Sequence, residues 1–177
     1  MLNQLIDAVL GFIESAKPLE VLDPTQRGWV MRLGRKHREI GPGPHLLIPF
    51  VDSARYDTVV RRTMALDAQS LVTRDGEKVV VSVIVSCFIH DIEKALFEIE
   101  DVDKCMREAC QGVVGELVPD TDWPELKTPD FRKSLLHQCR LRAEEMGMKI
   151  VRLQLRDLTT SWTVRLIGDA IQNAVPE

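Results

Sequence analysis

Four cysteines (Cys87, Cys105, Cys110, Cys139) and four histidines are the side chains best suited to ligate a soft metal or to act as nucleophile and base. Their spacing does not support either use. No CxxC is present, and no pair shows the ligand spacing of a structural zinc site. Cys105 and Cys110 fall in a helical pattern and Cys87 in a strand pattern, all on apolar faces, so they read as reduced core thiols. Zinc ligation by these thiols with His90 or His137 is the sharper alternative, and the spacing speaks against it. His45 follows the block Gly41-Pro42-Gly43-Pro44, and no Ser, Cys or Asp arrangement supports it as a catalytic base. A structural histidine that closes the turn is the expectation. The Gly-Pro-Gly-Pro block is not a phosphate loop, because no GK[ST] follows and two prolines remove backbone donors. The residues therefore assign no catalytic, cofactor-binding or metal-binding group, and an enzyme is not expected.

Composition bounds what remains. The chain has 177 residues, 45% apolar and 28% charged, which suits one ordinary domain with a short appendage at each end. Lys plus Arg number 23 against 27 Asp plus Glu, so a net charge of −4 makes a nucleic-acid partner unexpected. Five Phe, three Trp and one Tyr are too few for a base-stacking surface. The longest nearly unbroken apolar stretch, residues 79–89, is far short of the about 20 that a membrane-spanning helix needs. Asp7 and Glu14 interrupt the N-terminal apolar positions and no basic segment precedes them, so no signal peptide is read there. A cytoplasmic protein is expected, peripheral to a membrane or within a large assembly.

The elements follow from periodicity. Leu2, Leu5, Ile6, Val9, Leu10 and Ile13 fall on one stripe of a helix over residues 2–16, ended by Pro18. Its polar face lacks the Lys and Arg usual on membrane-surface helices, which favours packing on protein. A strand runs from Gly28 to Gly34, then a polar and basic run, the Gly-Pro turn, and a short strand from His45 to Phe50. Residues 56–64 read as one extended run and Asp75-Gly76 as a hairpin tip. Residues 79–89 form the strongest strand, with Val79, Val81, Val83, Val85, Cys87 and Ile89 on one apolar face. Asp91 caps a short helix. Asp101 caps a longer one through Val102, Cys105, Met106, Ala109, Cys110, Val113, Val114 and Leu117. Thr128-Pro129 opens a third helix that stops at Gly147, and a strand returns over residues 149–158. Ser161 caps a last helix. Strands in a run and then helices indicate an α+β fold.

From Gly28 to Leu158 the sequence resembles the SPFH, or band 7, domain of stomatins, prohibitins and flotillins. Gly28-Trp29-Val30-Met31-Arg32-Leu33-Gly34-Arg35 is one block. Glu39-Ile40-Gly41-Pro42-Gly43-Pro44-His45, continuing to Ile48-Pro49-Phe50-Val51-Asp52, is the second. Val72-Thr73-Arg74-Asp75-Gly76, the 79–89 strand and Asp91-Ile92-Glu93-Lys94-Ala95-Leu96 make the third, echoed by residues 151–158. The resemblance implies a curved, mainly antiparallel sheet with helices packed on it. Residues 18–158 would form this domain, flanked by an N-terminal amphipathic helix (1–17) and a C-terminal helix (159–177). It also implies that Gly41, Pro42, Gly43, His45, Pro49 and Phe50 form the family's rigid turn.

The resemblance further implies a non-enzymatic scaffold that assembles into a homo-oligomeric ring or similar structure, with a possible protein client. Family members usually carry a hydrophobic anchor and a long coiled coil. Here only the 2–16 helix and one short C-terminal helix are read, so any membrane contact is expected to be peripheral. Charge points to the assembling surfaces. Arg27, Arg32, Arg35, Lys36 and Arg38 put +5 between residues 27 and 38. Residues 91–108 carry −4, with Glu98, Glu100, Asp101 and Asp103 among them. Two such faces suit head-to-tail packing, although either alone reads equally as a solvated face. Leu2, Leu5, Ile6, Val9, Leu10 and Ile13 complete the candidate interface. Two further functions stay open: a peripheral membrane adaptor that recruits a client, and a structural subunit of a larger soluble or viral particle.

Overall fold

The computed structural model describes residues 19–160. The expected N-terminal helix, and with it Leu2, Leu5, Ile6, Val9, Leu10 and Ile13, lies outside the described residues, as does the expected C-terminal helix beyond residue 160; Thr159 and Thr160 are extended.

The organising element is β8 (Lys78–Ile89). Its alternating face of Val79, Val81, Val83, Val85, Cys87 and Ile89 is buried throughout, the outcome that a period of two with one wholly apolar face demands. It pairs along its length with β9 (Met148–Thr160), and on its other side with β6 (Arg62–Ala65) and β7 (Gln69–Val72), all antiparallel. Helices cover the buried face. Asp91 accepts from the Glu93 and Lys94 amides to start α1 (Ile92–Phe97). Asp101 accepts from the Lys104 amide at 2.9 Å to start α2 (Val102–Leu117). Thr128 accepts from the Phe131 amide to start α4 (Pro129–Glu145). Each cap satisfies donors that a helix N-terminus leaves open. Cys110 of α2 and Leu135 and Cys139 of α4 are buried together with β8 in one cluster. Gly147 (φ +72) ends α4, and its carbonyl accepts from the His90 and Asp91 amides, both at 2.9 Å. The stop of one helix is thereby fastened to the start of another.

A second, smaller core of Leu22, Val30, Ile40 and Leu47 lies beneath the remaining strands. Here β2 (Gln26–Arg32) sits between β3 (Arg35–Ile40) and β5 (Asp52–Thr58), and β1 (Leu19–Leu22) pairs with β4 (Gly43–Leu46). The α+β class and the antiparallel pairing are as expected, with the strands divided among three sheets. Three local readings are corrected. The strand expected from His45 to Phe50 ends at Leu46, because residues 49–51 turn and Phe50 takes φ 64. The extended run over 56–64 breaks at residues 59–61, dividing β5 in one sheet from β6 in another. A single-turn helix, α3 (Trp123–Leu126), precedes Thr128; Leu126 is fully buried and Asp122 binds Arg74.

Candidate interaction surfaces

His45 and three of the four thiols are engaged in structure, whereas His37, His90 and His137 are exposed. His45 Nε2 donates to the Gly41 carbonyl at 2.6 Å, closing the Gly-Pro turn that the adjacent Gly43 (φ +114) makes possible. Cys87, Cys110 and Cys139 are buried, Cys105 is partly so, and all four are free thiols. Burial pushes the Cys87 thiol up to about 11. The Cys110 thiol is held far above its ordinary range, first by its hydrogen bond with Cys139 and then by burial. Both effects oppose the thiolate, the form that acts as nucleophile or ligand. Among the described residues no group of three His, Cys, Asp or Glu side chains could hold a metal ion.

The turn between β4 and β5 is built around Asp52. Its side chain is only 2% exposed and takes a two-pronged bond from Arg32, at 2.8 and 3.0 Å. It also accepts from the Ile48 amide at 3.1 Å. These bonds, with Arg32 first, hold its carboxyl down at about 2. The Leu33 amide donates to the Val51 carbonyl at 2.9 Å, so the β2–β3 turn and the β4–β5 turn are tied side by side. Both turns put a large apolar residue at positive φ: Leu33 at 50° and Phe50 at 64°. Leu33 is 76% exposed and Phe50 79%. Ile48, Leu46, Leu19 and Val21 are also exposed, and Leu46 stands directly across from Leu19 in the β1–β4 pair. This end of the molecule is therefore an exposed apolar tip. Beside it β3 exposes Arg35, Lys36 and Arg38, and Arg38 donates to the Leu46 carbonyl at 3.1 Å.

The charge runs are partly consumed within the chain. Of the basic residues, Arg32 binds Asp52, Lys36 binds Glu93 at 2.6 Å and Arg38 binds backbone. Of the acidic ones, Asp101 caps α2, and Asp103 takes Arg62 on both oxygens at 2.7 and 2.8 Å. Among the described residues, Arg35, Glu98 and Glu100 are exposed with no side-chain partner. Glu100, Asp101 and Asp103, with Leu96, Ile99 and Val102, line a groove of about 650 Å³ between β5 and the α1–α2 junction. Nothing in the motif blocks distinguishes Leu33, Leu46 or Ile48 as a surface. The one available signal is Leu33-Gly34 itself, since a two-residue hairpin of this hand usually begins with Asn or Asp.

The fold thus defines an α+β domain whose described surface offers exposed apolar and charged faces. The sequence model of the SPFH domain / Band 7 family matches residues 20–171, and the chain belongs to this family. It is 22% identical over 156 residues to an uncharacterized protein of Methanocaldococcus jannaschii, covering 87% of this chain and 78% of that one. It is 27% identical over 141 residues to human mitochondrial stomatin-like protein 2, covering 76% of this chain and 39% of that one. It is 25% identical over 200 residues to the protein HflK of Treponema pallidum, covering 97% of this chain and 61% of that one. The chain thus spans less than two thirds of both the stomatin-like and the HflK relatives, 39% and 61% of their lengths. No helix among the described residues is long and apolar enough to cross a membrane.

Proposed function

We propose that the chain is a non-enzymatic scaffold of the SPFH/band 7 type that assembles from copies of itself and lies peripherally on a membrane. The apolar tip carries this reading. Two turns lock Leu33 and Phe50 outward at positive φ beside Ile48 and Leu46, next to the cations of β3. Apolar side chains at a basic margin suit the boundary between headgroups and acyl chains of an anionic leaflet. Family membership supports assembly, as do the charges of both signs that stay exposed, Arg35, Glu98 and Glu100. Among the described residues Arg35, Glu98 and Glu100 are the candidate interface charges without a side-chain partner, and Leu2, Leu5, Ile6, Val9, Leu10 and Ile13 are a further contact proposed for it.

Light scattering of the full chain at several concentrations and salts tests assembly; a monomer throughout sinks it. Co-sedimentation with phosphatidylserine-containing vesicles tests the membrane contact. Leu33→Asp with Ile48→Asp abolishes binding on this reading, and deletion of residues 1–17 leaves it largely intact. The reverse result assigns the contact to the N-terminal segment instead.

A further inference from the structure

We propose that the free edge of β5 is a docking site for an extended, basic segment of a partner protein, which adds to it as an antiparallel strand beside the groove at the α1–α2 junction. The inference is independent of assembly and of membrane contact. β5 pairs with β2 alone. The Leu33 amide donates to the Val51 carbonyl and the Val59 amide to the Thr25 carbonyl, which fixes the alternation of the ladder between them. Ser53, Arg55 and Asp57 turn their backbone groups toward β2, while Asp52, Ala54, Tyr56 and Thr58 turn theirs outward. Both ends of this outer edge are already used. The Asp52 amide donates to the Ile48 carbonyl at 2.8 Å, the Thr58 amide to Asp57 Oδ1 at 2.6 Å, and Arg62 to the Thr58 carbonyl at 2.9 Å. Among the described residues, the outward amides and carbonyls of Ala54 and Tyr56 between them have no partner. Such a row is a template for one more strand.

The groove makes this edge selective. Trp29 stands opposite Arg55 and its ring meets Phe97 of α1, so the face of β5 that carries Arg55 and Asp57 looks toward the helices. The groove of about 650 Å³ is lined by Ala54 to Asp57 on β5 and by Leu96, Ile99 and Val102 of the helical segment. In an antiparallel strand the residues opposite Ala54 and Tyr56 exchange backbone bonds with them. The residue opposite Arg55 then shares its face and turns toward Leu96 and Ile99, which suits an apolar side chain. Its neighbour on that face stands opposite Asp57. The charges that line the groove are Arg55 and Arg62 against Asp57, Glu100, Asp101 and Asp103. Arg62 is shared between Asp57 and Asp103, and Glu100 is exposed without a side-chain partner. The excess is negative, so lysine or arginine beside the apolar residue is the complementary choice. The open edge of β3, by contrast, is lined with Arg35, Lys36 and Arg38, cations of the kind that blunt a free edge.

The test uses the full chain and a synthetic heptapeptide with threonine at the odd positions and lysine, valine, lysine at the even ones. Amide hydrogen exchange resolved to single residues is the readout. In the chain alone, Ala54 and Tyr56 should exchange freely while Ser53, Arg55 and Asp57 are protected by β2. Millimolar peptide should slow Ala54 and Tyr56 severalfold. Methylating the amide nitrogens of the threonines on either side of valine removes the bonds to this edge and should weaken binding roughly tenfold or more. Replacing both lysines by glutamate should weaken it severalfold, and Glu100→Lys should narrow that difference. An unchanged exchange rate with peptide, or equal binding of the methylated peptide, overturns strand addition. Equal binding of the acidic peptide overturns the choice of a basic partner. Protection of Ala54 and Tyr56 without peptide also overturns the proposal: if it holds at every dilution it assigns the edge to another segment of this chain, and if it is lost on dilution, to a second copy.

Discussion

Lys36 Nζ lies 2.6 Å from Glu93 Oε1 and 4.7 Å above the ring of Phe97, whose edge meets Trp29. One residue of the basic run is thus clipped to one of the acidic run inside the same chain, and the clip fastens β3 to α1. Both side chains are close to half exposed, so the ion pair is worth at most about 1 kcal/mol, with a similar amount from the ring. Lys36→Ala should lower stability by about 0.5–1.5 kcal/mol in urea denaturation. Lys36→Glu should cost at least as much, and adding Glu93→Lys should recover part of it, which a double-mutant cycle reads directly.

Two glycines mark where backbone approaches too closely for any side chain. A Cβ on Gly28 would stand 2.1 Å from the Arg55 carbonyl oxygen across the β2–β5 pair. A Cβ on Gly147 would stand 2.6 Å from the Asp91 carbonyl, at a φ that already disfavours an L side chain. Gly28→Ala and Gly147→Ala should each destabilise by about 1–3 kcal/mol or more, from overpacking alone in the first and with added backbone strain in the second. Thermal unfolding of each variant checks this, and a midpoint unchanged in either case contradicts the packing described.

Much of this was legible in the sequence where the determinant is local. The alternation over residues 79–89, the caps Asp91, Asp101 and Thr128 and the stop at Gly147 need only neighbours within a few residues, and all five recur in the fold. What was not legible depends on distant partners. β1 becomes a strand because β4 pairs with it from more than twenty residues away, and its own exposed Leu19 and Val21 mimic a loop. The charge runs were countable, but Arg62 reaching Asp103 across 41 positions was not. The same limit hid the apolar tip, which exists because Leu33 and Val51 meet through one backbone bond.

Asp52 makes the two turns acid-sensitive. Its carboxyl is lowered to about 2 in the fold, chiefly by Arg32, against an ordinary value near 3.9 in the unfolded chain. A depressed folded value means the stabilisation is fully present above about pH 4 and is lost as pH falls through about 2. Asp52→Asn should therefore be less stable than the native chain at pH 7, and the gap should narrow between pH 4 and pH 2. Acid titration of both proteins by tryptophan fluorescence measures it; a gap that stays constant over that window contradicts the assignment.

The thiols should divide by burial. Cys87, Cys110 and Cys139 are buried with Cys87 and Cys110 held as thiols, whereas Cys105 is partly exposed. An aromatic disulfide reagent at pH 8 should modify Cys105 first, and all four of the chain's cysteines only on denaturation. Rapid modification of Cys110 in the native protein would show that α2 and α4 open more readily than their shared core implies.

Leu33 allows stability to be separated from surface function. A leucine at φ 50 sits in a conformation that costs an L residue roughly 1–2 kcal/mol, and 76% of this one faces solvent, so burial does not repay the strain. Asn tolerates that conformation and is the usual first residue of such a turn. Leu33→Asn should therefore match or exceed the native chain in stability, by up to about 1 kcal/mol. If the tip rests on lipid, the same change should weaken binding to anionic vesicles severalfold, since it removes one of its outermost apolar side chains. Stability gained together with vesicle binding lost is the result expected of a strained surface residue that serves an interaction. Stability gained with binding unchanged would leave the strain without that role and move the membrane contact away from this tip.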